Sequence, residues 1–315
     1  MPTTAAILDT VTGSTRIPAK TLRTIALATD GSPGCDAAVT FTRALAARGS
    51  VGVHVVSVCE PTRTLDLSPF GVVLAPSVEM NAPLPARDRR LEAVRAQLTR
   101  TIGADVTWPT HVAAGATGAG LAALAKDANA DLLVLGRERH GTIDRMLGED
   151  HLLNVIRASS VPVMTIEPTL VRAPKRCAIA IDFSTGTLEL LSAALMVVDE
   201  SATIYLVHVN TDGPFAALSH PSAWLKTREH GTRTALQNLR ARLLTAPGVN
   251  VESVVLEGHL LPALKDFVLQ SDIDLIAMGT HGHGFVDRLV IGSATERVLR
   301  DIPCSTLVVP PPVAA

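Results

Sequence analysis

The chain has 315 residues, 47% of them hydrophobic and 18% charged, with a formal net charge of −2. That length and composition fit two domains, each with a core of its own. A near-neutral balance without a Lys/Arg run excludes a charge-driven nucleic-acid surface, and no apolar run reaches the roughly 20 residues of a membrane-inserted helix.

Taken in chain order, residues 1–20 lack the apolar stretch of a signal peptide and read as a flexible tail. The first half then alternates strand-like and helix-like segments. Strands are predicted over Thr24–Thr29, Val51–Val58, Val106–Ala113, Asp131–Gly136 and Val161–Ile166. Helices are predicted over Asp36–Ala47, Ala86–Ile102, Ala119–Ala128 and Asp150–Ala158. The segment Glu60–Arg87 carries Pro61, Pro69, Pro76, Pro83 and Pro85 and reads as an irregular loop. A loop that long in a compact domain is usually functional or mobile, and it is expected to cover a cleft of this half.

The junction falls near Pro168–Pro174, dividing the chain into 21–170 and 171–315. The second half predicts strands over Cys177–Asp182, Thr203–Val209, Val251–Glu257, Asp274–Gly279 and Thr306–Val309. Its helices are expected over Leu188–Val198, Ser222–Leu244, Leu261–Leu269 and Ala294–Arg300. Short Val/Leu/Ile-rich runs suit strands covered on both faces. The alternation implies an α/β fold: two tandem doubly wound domains, each a five-stranded parallel sheet flanked by helices. Cys35, Cys59, Cys177 and Cys304 are scattered without a CxxC pair, which fits reduced thiols in a cytoplasmic protein.

The two halves repeat one another. Residues 131–166 and 274–309 align without a gap at an offset of 143, and nine of the 36 positions are identical. Gly115 and Gly258 keep that offset, and Asp30 and Asp182 open matching turns. A period this long marks a duplicated domain rather than a solenoid.

Ligands of an open parallel sheet sit beyond the carboxyl ends of its strands, where the winding order reverses. In the second half three pieces are expected there: Ile181-Asp182-Phe183-Ser184, His208-Val209-Asn210, and Met278 through Gly284 followed by Gly292-Ser293. Glycines at 279, 282 and 292 let backbone N–H groups approach a ligand, and a helix opening at Ser293 favours an anion. Ser293-Ala294-Thr295-Glu296 also reads as a capping box, which by itself would account for the serine. His281, His283 and His259 lack a Cys or carboxylate at ligand spacing, so no metal site is expected.

This arrangement resembles the universal stress protein family, in which Gly-x2-Gly-x9-Gly-Ser/Thr marks an ATP-binding loop. Gly279, Gly282, Gly292 and Ser293 match it in full. Asp182-Phe183-Ser184, His208-Val209, Gly258 and the strand Cys304–Val309 add to the resemblance, which covers both halves. It implies ATP, possibly with Mg²⁺, at Ile181, Asp182, Val209, Met278, Gly279, Gly282, His283, Gly292, Ser293 and Ala294. Asp182 would meet the ribose, the strand around Val209 the adenine, and the glycine loop the phosphates. It also implies pairing of fifth-strand edges, either within the chain or in a homodimer, since exposed edges seek partners.

The first half departs from the pattern. Arg139 stands at the second glycine, Glu149 at the place of Gly292 and Asp150 at that of Ser293. Two acidic residues at a helix start would satisfy the dipole internally and repel a triphosphate, with Arg137, Arg139 and Arg145 offsetting part of that repulsion. ATP binding in the family manner is therefore not expected there.

The fingerprint of a Rossmann dehydrogenase would follow the first strand rather than the fourth, and no loop ends in Gly-Lys-Ser/Thr. No nucleophile–base–orienter set emerges. Three functions stay open: a nucleotide-dependent stress or signalling regulator with an unidentified protein partner, a slow ATPase, and a nucleotide-independent adaptor.

Overall fold

The computed structural model describes residues 20–60, 67–68, 71–72, 84–137, 144–184, 186–211, 222–243, 248–280 and 291–311. In the first half the strands are β1 (Thr24–Ala28), β2 (Gly52–Cys59), the two-residue β3 (Leu67–Ser68) and β4 (Gly71–Val72), β5 (Thr110–Ala114), β6 (Leu132–Gly136) and β7 (Val163–Ile166). Its helices are α1 (Asp36–Ala46), α2 (Leu84–Ile102), α3 (Thr117–Asp127) and α4 (Asp144–Ala158). The second half has β8 (Arg176–Ala180), β9 (Thr203–Asn210), β10 (Asn250–Glu257), β11 (Leu275–Gly279) and β12 (Ser305–Val309). Helices α5 (Thr187–Val197), α6 (Ser222–Leu243), α7 (Leu260–Gln270) and α8 (Ser293–Asp301) lie between them.

The main strands form one ten-stranded sheet in the order β10-β9-β8-β11-β12-β7-β6-β1-β2-β5. Within each half the five strands are parallel and follow one order, so each is the doubly wound unit expected from the alternation. The seam is antiparallel: Thr306 pairs with Thr165, Leu307 with Met164 and Val308 with Val163. The Thr165 and Thr306 hydroxyls share a hydrogen bond of 2.7 Å there, both buried. Of the two pairings left open for the fifth strands, the structure holds the one within the chain. The seam satisfies those edges within the chain and leaves no strand of either for a second copy.

Alternation along the strands divides the core into two layers. Ile25, Leu27, Val55, Ile179, Leu206 and Leu307 face one side, together with Phe41 of α1 and Leu191 of α5. Ala26, Val56, Ala178, Ile276 and Val308 face the other, together with Val155 of α4 and Val298 of α8. Each layer runs unbroken across the seam, so the hydrophobic effect holds the halves as one body.

Two local differences matter. The predicted strand Val106–Ala113 joins the ladder only from Thr110, since Pro109 has no N–H to donate. Helix α4 starts at Asp144, six residues before the expected Asp150. Of the Glu60–Arg87 segment, only β3, β4 and the start of α2 lie among the described residues, with Glu60 itself.

Candidate functional site

The carboxyl ends of β9, β8 and β11 lie side by side in the second half, bringing Val209, Ile181, Asp182, Met278 and Gly279 to one rim of the sheet. Ile181 and Met278 are buried. The Asp182 carboxylate is half-buried and accepts the Ser184 N–H at 2.9 Å, closing an Asx turn. Among the described residues no cation pairs with it. Between them Phe183 adopts φ 59°, in the left-handed region that disfavours a bulky side chain. Its ring packs against His208, centroids 5.1 Å apart, and His208 Nδ1 lies 2.8 Å from the Ile181 carbonyl oxygen. This strained turn, fastened to β9 by an aromatic pair, shapes the rim beside Asp182. The alignment of Phe183 with Gly31, also at positive φ, is the sequence signal for it.

The glycine segment starts and ends at one place. Gly292 N–H donates to the Thr280 carbonyl at 2.9 Å, and Thr295 Oγ1 donates to the Gly279 carbonyl at 3.0 Å. Gly279 and Gly292, thirteen residues apart, are thereby held together. Gly282, His281 and His283 lie outside the described residues. Gly292 is the N-cap of α8 and makes no side-chain cap bond, and Ser293 is the first helical residue, exposed. The capping-box expectation is therefore corrected: the serine sits inside the helix, one position too far to cap it. The N–H groups of Ser293, Ala294 and Thr295 have no carbonyl a turn behind them to bond. They point, with the positive end of the helix dipole, toward the rim beside Gly279. Oxygen anions are the chemistry this end can hold.

The first half is built differently at the same rim. Ser293 corresponds to Asp150 at the 143-residue offset, and α4 is already wound from Asp144. Glu149 and Asp150 thus occupy its second turn rather than its start, where backbone N–H groups are taken by carbonyls of the preceding turn. Hydrogen bonding inside the helix, more than acidic repulsion, removes the donor set. Arg137 points away from the cleft: it forms a 3.1 Å ion pair with Glu167 of its own half and donates across the seam to carbonyls at the end of α8. The expectation that it offsets charge at the cleft is corrected. The side chains of Arg139 and Arg145 lie outside the described residues.

Asp30 forms the same Asx turn as Asp182, accepting the Ser32 N–H at 2.9 Å, but α2 closes over it. Arg90 donates to the Asp30 carbonyl at 2.7 Å and lies 3.9 Å from its carboxylate. Burial pushes the Asp30 carboxyl up, yet the Ser32 hydrogen bonds and the Arg90 charge outweigh it and hold it below the usual range. Buried Gln97 binds Thr29 Oγ1 at 2.6 Å, the Ser32 carbonyl at 2.6 Å and Asp36 at 2.8 Å, fastening α2 to the turn. Gly31 (φ 86°) leaves no room for a Cβ, which would fall 2.7 Å from the Ala93 backbone. What remains is a cleft of about 310 Å³ lined by Asp30, Cys59, Glu60, Arg89, Arg90 and Ala93. Gln97 and Arg90 were not legible in the sequence, since their partners are more than 55 residues away.

A sequence model of the Universal stress protein family matches residues 21–167 and again 174–310. The chain belongs to the universal stress protein family. Among its relatives, Universal stress protein MJ0531 of Methanocaldococcus jannaschii is 30% identical over 143 residues, 44% of this chain and 83% of that protein. The crystal structure of a universal stress protein from Archaeoglobus fulgidus superposes with a TM-score of 0.60 at 20% identity, covering 91% of this chain and 96% of the other. A functionally unknown protein, PA1789 of Pseudomonas aeruginosa, superposes at 0.58 with 14% identity, covering 92% and 93%. These two share the tandem fold over nearly their whole length. No helix among the described residues of this universal stress protein is long and apolar enough to cross a membrane.

Proposed function

We propose that this universal stress protein is a nucleotide-dependent stress or signalling regulator, dividing at residues 170/171, with ATP bound by the second half alone. The observation that carries the proposal is the open start of α8. Ser293 and Ala294 stand there with N–H groups that no carbonyl among the described residues takes up, on a helix start stitched by Gly292 and Thr295 to the end of β11. In this reading Gly282, His283, Gly292, Ser293 and Ala294 hold the phosphates. Met278 and Gly279 form the floor, Ile181 and Val209 line the base, and Asp182 accepts the ribose hydroxyls. Mg²⁺ accompanying ATP would take most of its oxygen ligands from the phosphates. The first half keeps the Asx turn at Asp30, but the positions matching Ser293 and Ala294 fall inside α4, where backbone N–H groups bond within the helix, so in this reading it takes no triphosphate.

The test is calorimetric titration of ATP with Mg²⁺ into nucleotide-stripped protein beside a Gly282→Arg variant. One site per chain, lost in the variant, is the expected result. Absence of binding to the wild type would overturn the proposal and leave a nucleotide-independent adaptor. Two sites per chain would overturn the assignment to the second half.

A further inference from the structure

Helix α8 carries the proposed phosphate site at one end and grips a residue of the other half at its opposite end. Arg137 leaves β6 of the first half, at the place where Thr280 leaves β11 of the second. Its guanidinium crosses the seam and donates to the Ile302 carbonyl at 3.1 Å, the Arg300 carbonyl at 3.1 Å and the Cys304 carbonyl at 3.4 Å, and to the Leu299 carbonyl as well. Leu299 and Arg300 belong to the last turn of α8, and Ile302 is its C-cap. Glu167 fixes the guanidinium from behind at 3.1 Å, and both side chains are about nine-tenths buried.

The last turn of a helix leaves carbonyls without partners and carries the negative end of the dipole. A planar guanidinium with donors in a fixed fork satisfies several of them at once, which an ammonium on a flexible stem does not. Helix α8 has only nine residues, about 13 Å of length, so a hold on its last turn fixes the aim of its first. Its other anchors include the Gly292 N–H on the Thr280 carbonyl, Thr295 on the Gly279 carbonyl and the buried Val298, Leu299 and Ile302. At the pseudo-symmetric end of α4, Ser159 Oγ donates to the Val161 carbonyl at 2.7 Å.

We propose that Arg137 is a positioning residue through which the first half sets the ATP affinity of the second, by holding the last turn of α8 and thereby orienting its phosphate-facing first turn. The inference rests on ATP binding at that first turn. It assigns the first half a regulatory part in a site that it does not form. Coupling of this kind is reciprocal, so ATP in the second half also tightens the seam.

Two variants of the full chain test it: Arg137→Lys, which keeps the charge facing Glu167, and the double variant Arg137→Met with Glu167→Gln, which leaves no lone buried charge. Three quantities are read: the Kd for ATP with Mg²⁺, thermal unfolding without ligand, and hydrogen exchange of the Glu296 amide, which bonds the Gly292 carbonyl in the first turn of α8. The expected result is a Kd weakened at least about fivefold in both variants, the low end of coupling between sites. Faster exchange at Glu296 should accompany it, with β7 and β12 amides still protected. Variants that unfold earlier but bind ATP within about twofold of wild type would make Arg137 a staple only and overturn the inference. If the wild type binds no ATP, the functional proposal fails first. Exchange at Glu296 then decides alone: unchanged rates overturn the positioning role, and faster rates retain it.

Discussion

Met164 on β7 pairs with Leu307 on β12, and at the 143-residue offset of the repeat each is the counterpart of the other. A local two-fold axis therefore passes through this pair, and the contact is isologous, the kind by which two copies of one protein usually associate. Here one chain supplies both sides. The neighbouring Thr165–Thr306 bond and the two continuous core layers belong to the same contact.

That contact should outlast the peptide link. A protease site inserted between Val171 and Arg172, both exposed, is expected to be cut with the halves still co-eluting on gel filtration. Separation of the fragments at micromolar concentration would show that the link, rather than the seam, holds them. Arg137→Ala in the cleaved protein should loosen their association, because it removes the hydrogen bonds from a charged donor to the Arg300, Ile302 and Cys304 carbonyls across the seam, each worth about 1.5–3 kcal/mol.

Phe183 offers a reversal of the usual ranking of small residues. Phe183→Ala loses the contact with His208 and keeps the left-handed backbone, whereas Phe183→Gly loses the same contact and relieves the strain. The glycine variant should be the more stable of the two by about 1 kcal/mol in urea unfolding. Equal stabilities, or the alanine variant ahead, would mean that the turn is not strained.

Ser293 separates capping from binding. As the first helical residue without a cap bond, its change to alanine should alter stability by no more than about 0.5 kcal/mol, where loss of a true cap costs about 1 kcal/mol. The same change should weaken ATP binding about tenfold, one hydrogen bond to the ligand. Lost stability with unchanged affinity would reverse both assignments.

Glu60 predicts a pH dependence. Thr117 Oγ1 donates to its carboxylate at 2.6 Å and the Thr117 N–H at 3.3 Å, and these bonds, with His151 at 3.5 Å, hold the carboxyl below the usual range. A folded-state value below the unfolded one gives a contribution fully present above about pH 4.3, the ordinary glutamate value. It is lost as pH falls through the lower folded value. Wild type and Glu60→Gln should thus differ in urea midpoint at pH 7 and converge near pH 3. A gap that persists at pH 3 would point to packing instead.

Much of this was legible in sequence because the governing physics is local. Val/Leu/Ile runs such as Leu132–Gly136 and Leu275–Gly279 read as covered parallel strands, and the repeat located the seam strands as sheet edges. The start of α4 was not legible: Met146, Leu147 and Glu149 are good helix formers, but the gapless alignment with a glycine loop concealed their winding. Ser293 looked like a cap because a capping box is defined by spacing alone, and only the backbone of Gly292 places the cap one residue earlier. Arg137 and Gln97 carried no pattern at all. Their partners lie far along the chain and are largely backbone carbonyls, which leave no mark on composition.

The antiparallel seam also fixes a ratio. An isologous pair assembled from separate identical chains loads two equal sites and falls apart on dilution. Closing the same contact inside one polypeptide joins every complete glycine loop to exactly one altered partner at synthesis, whatever the concentration. In the proposed reading, the altered half could give up phosphate chemistry without a copy of itself ever replacing the intact one.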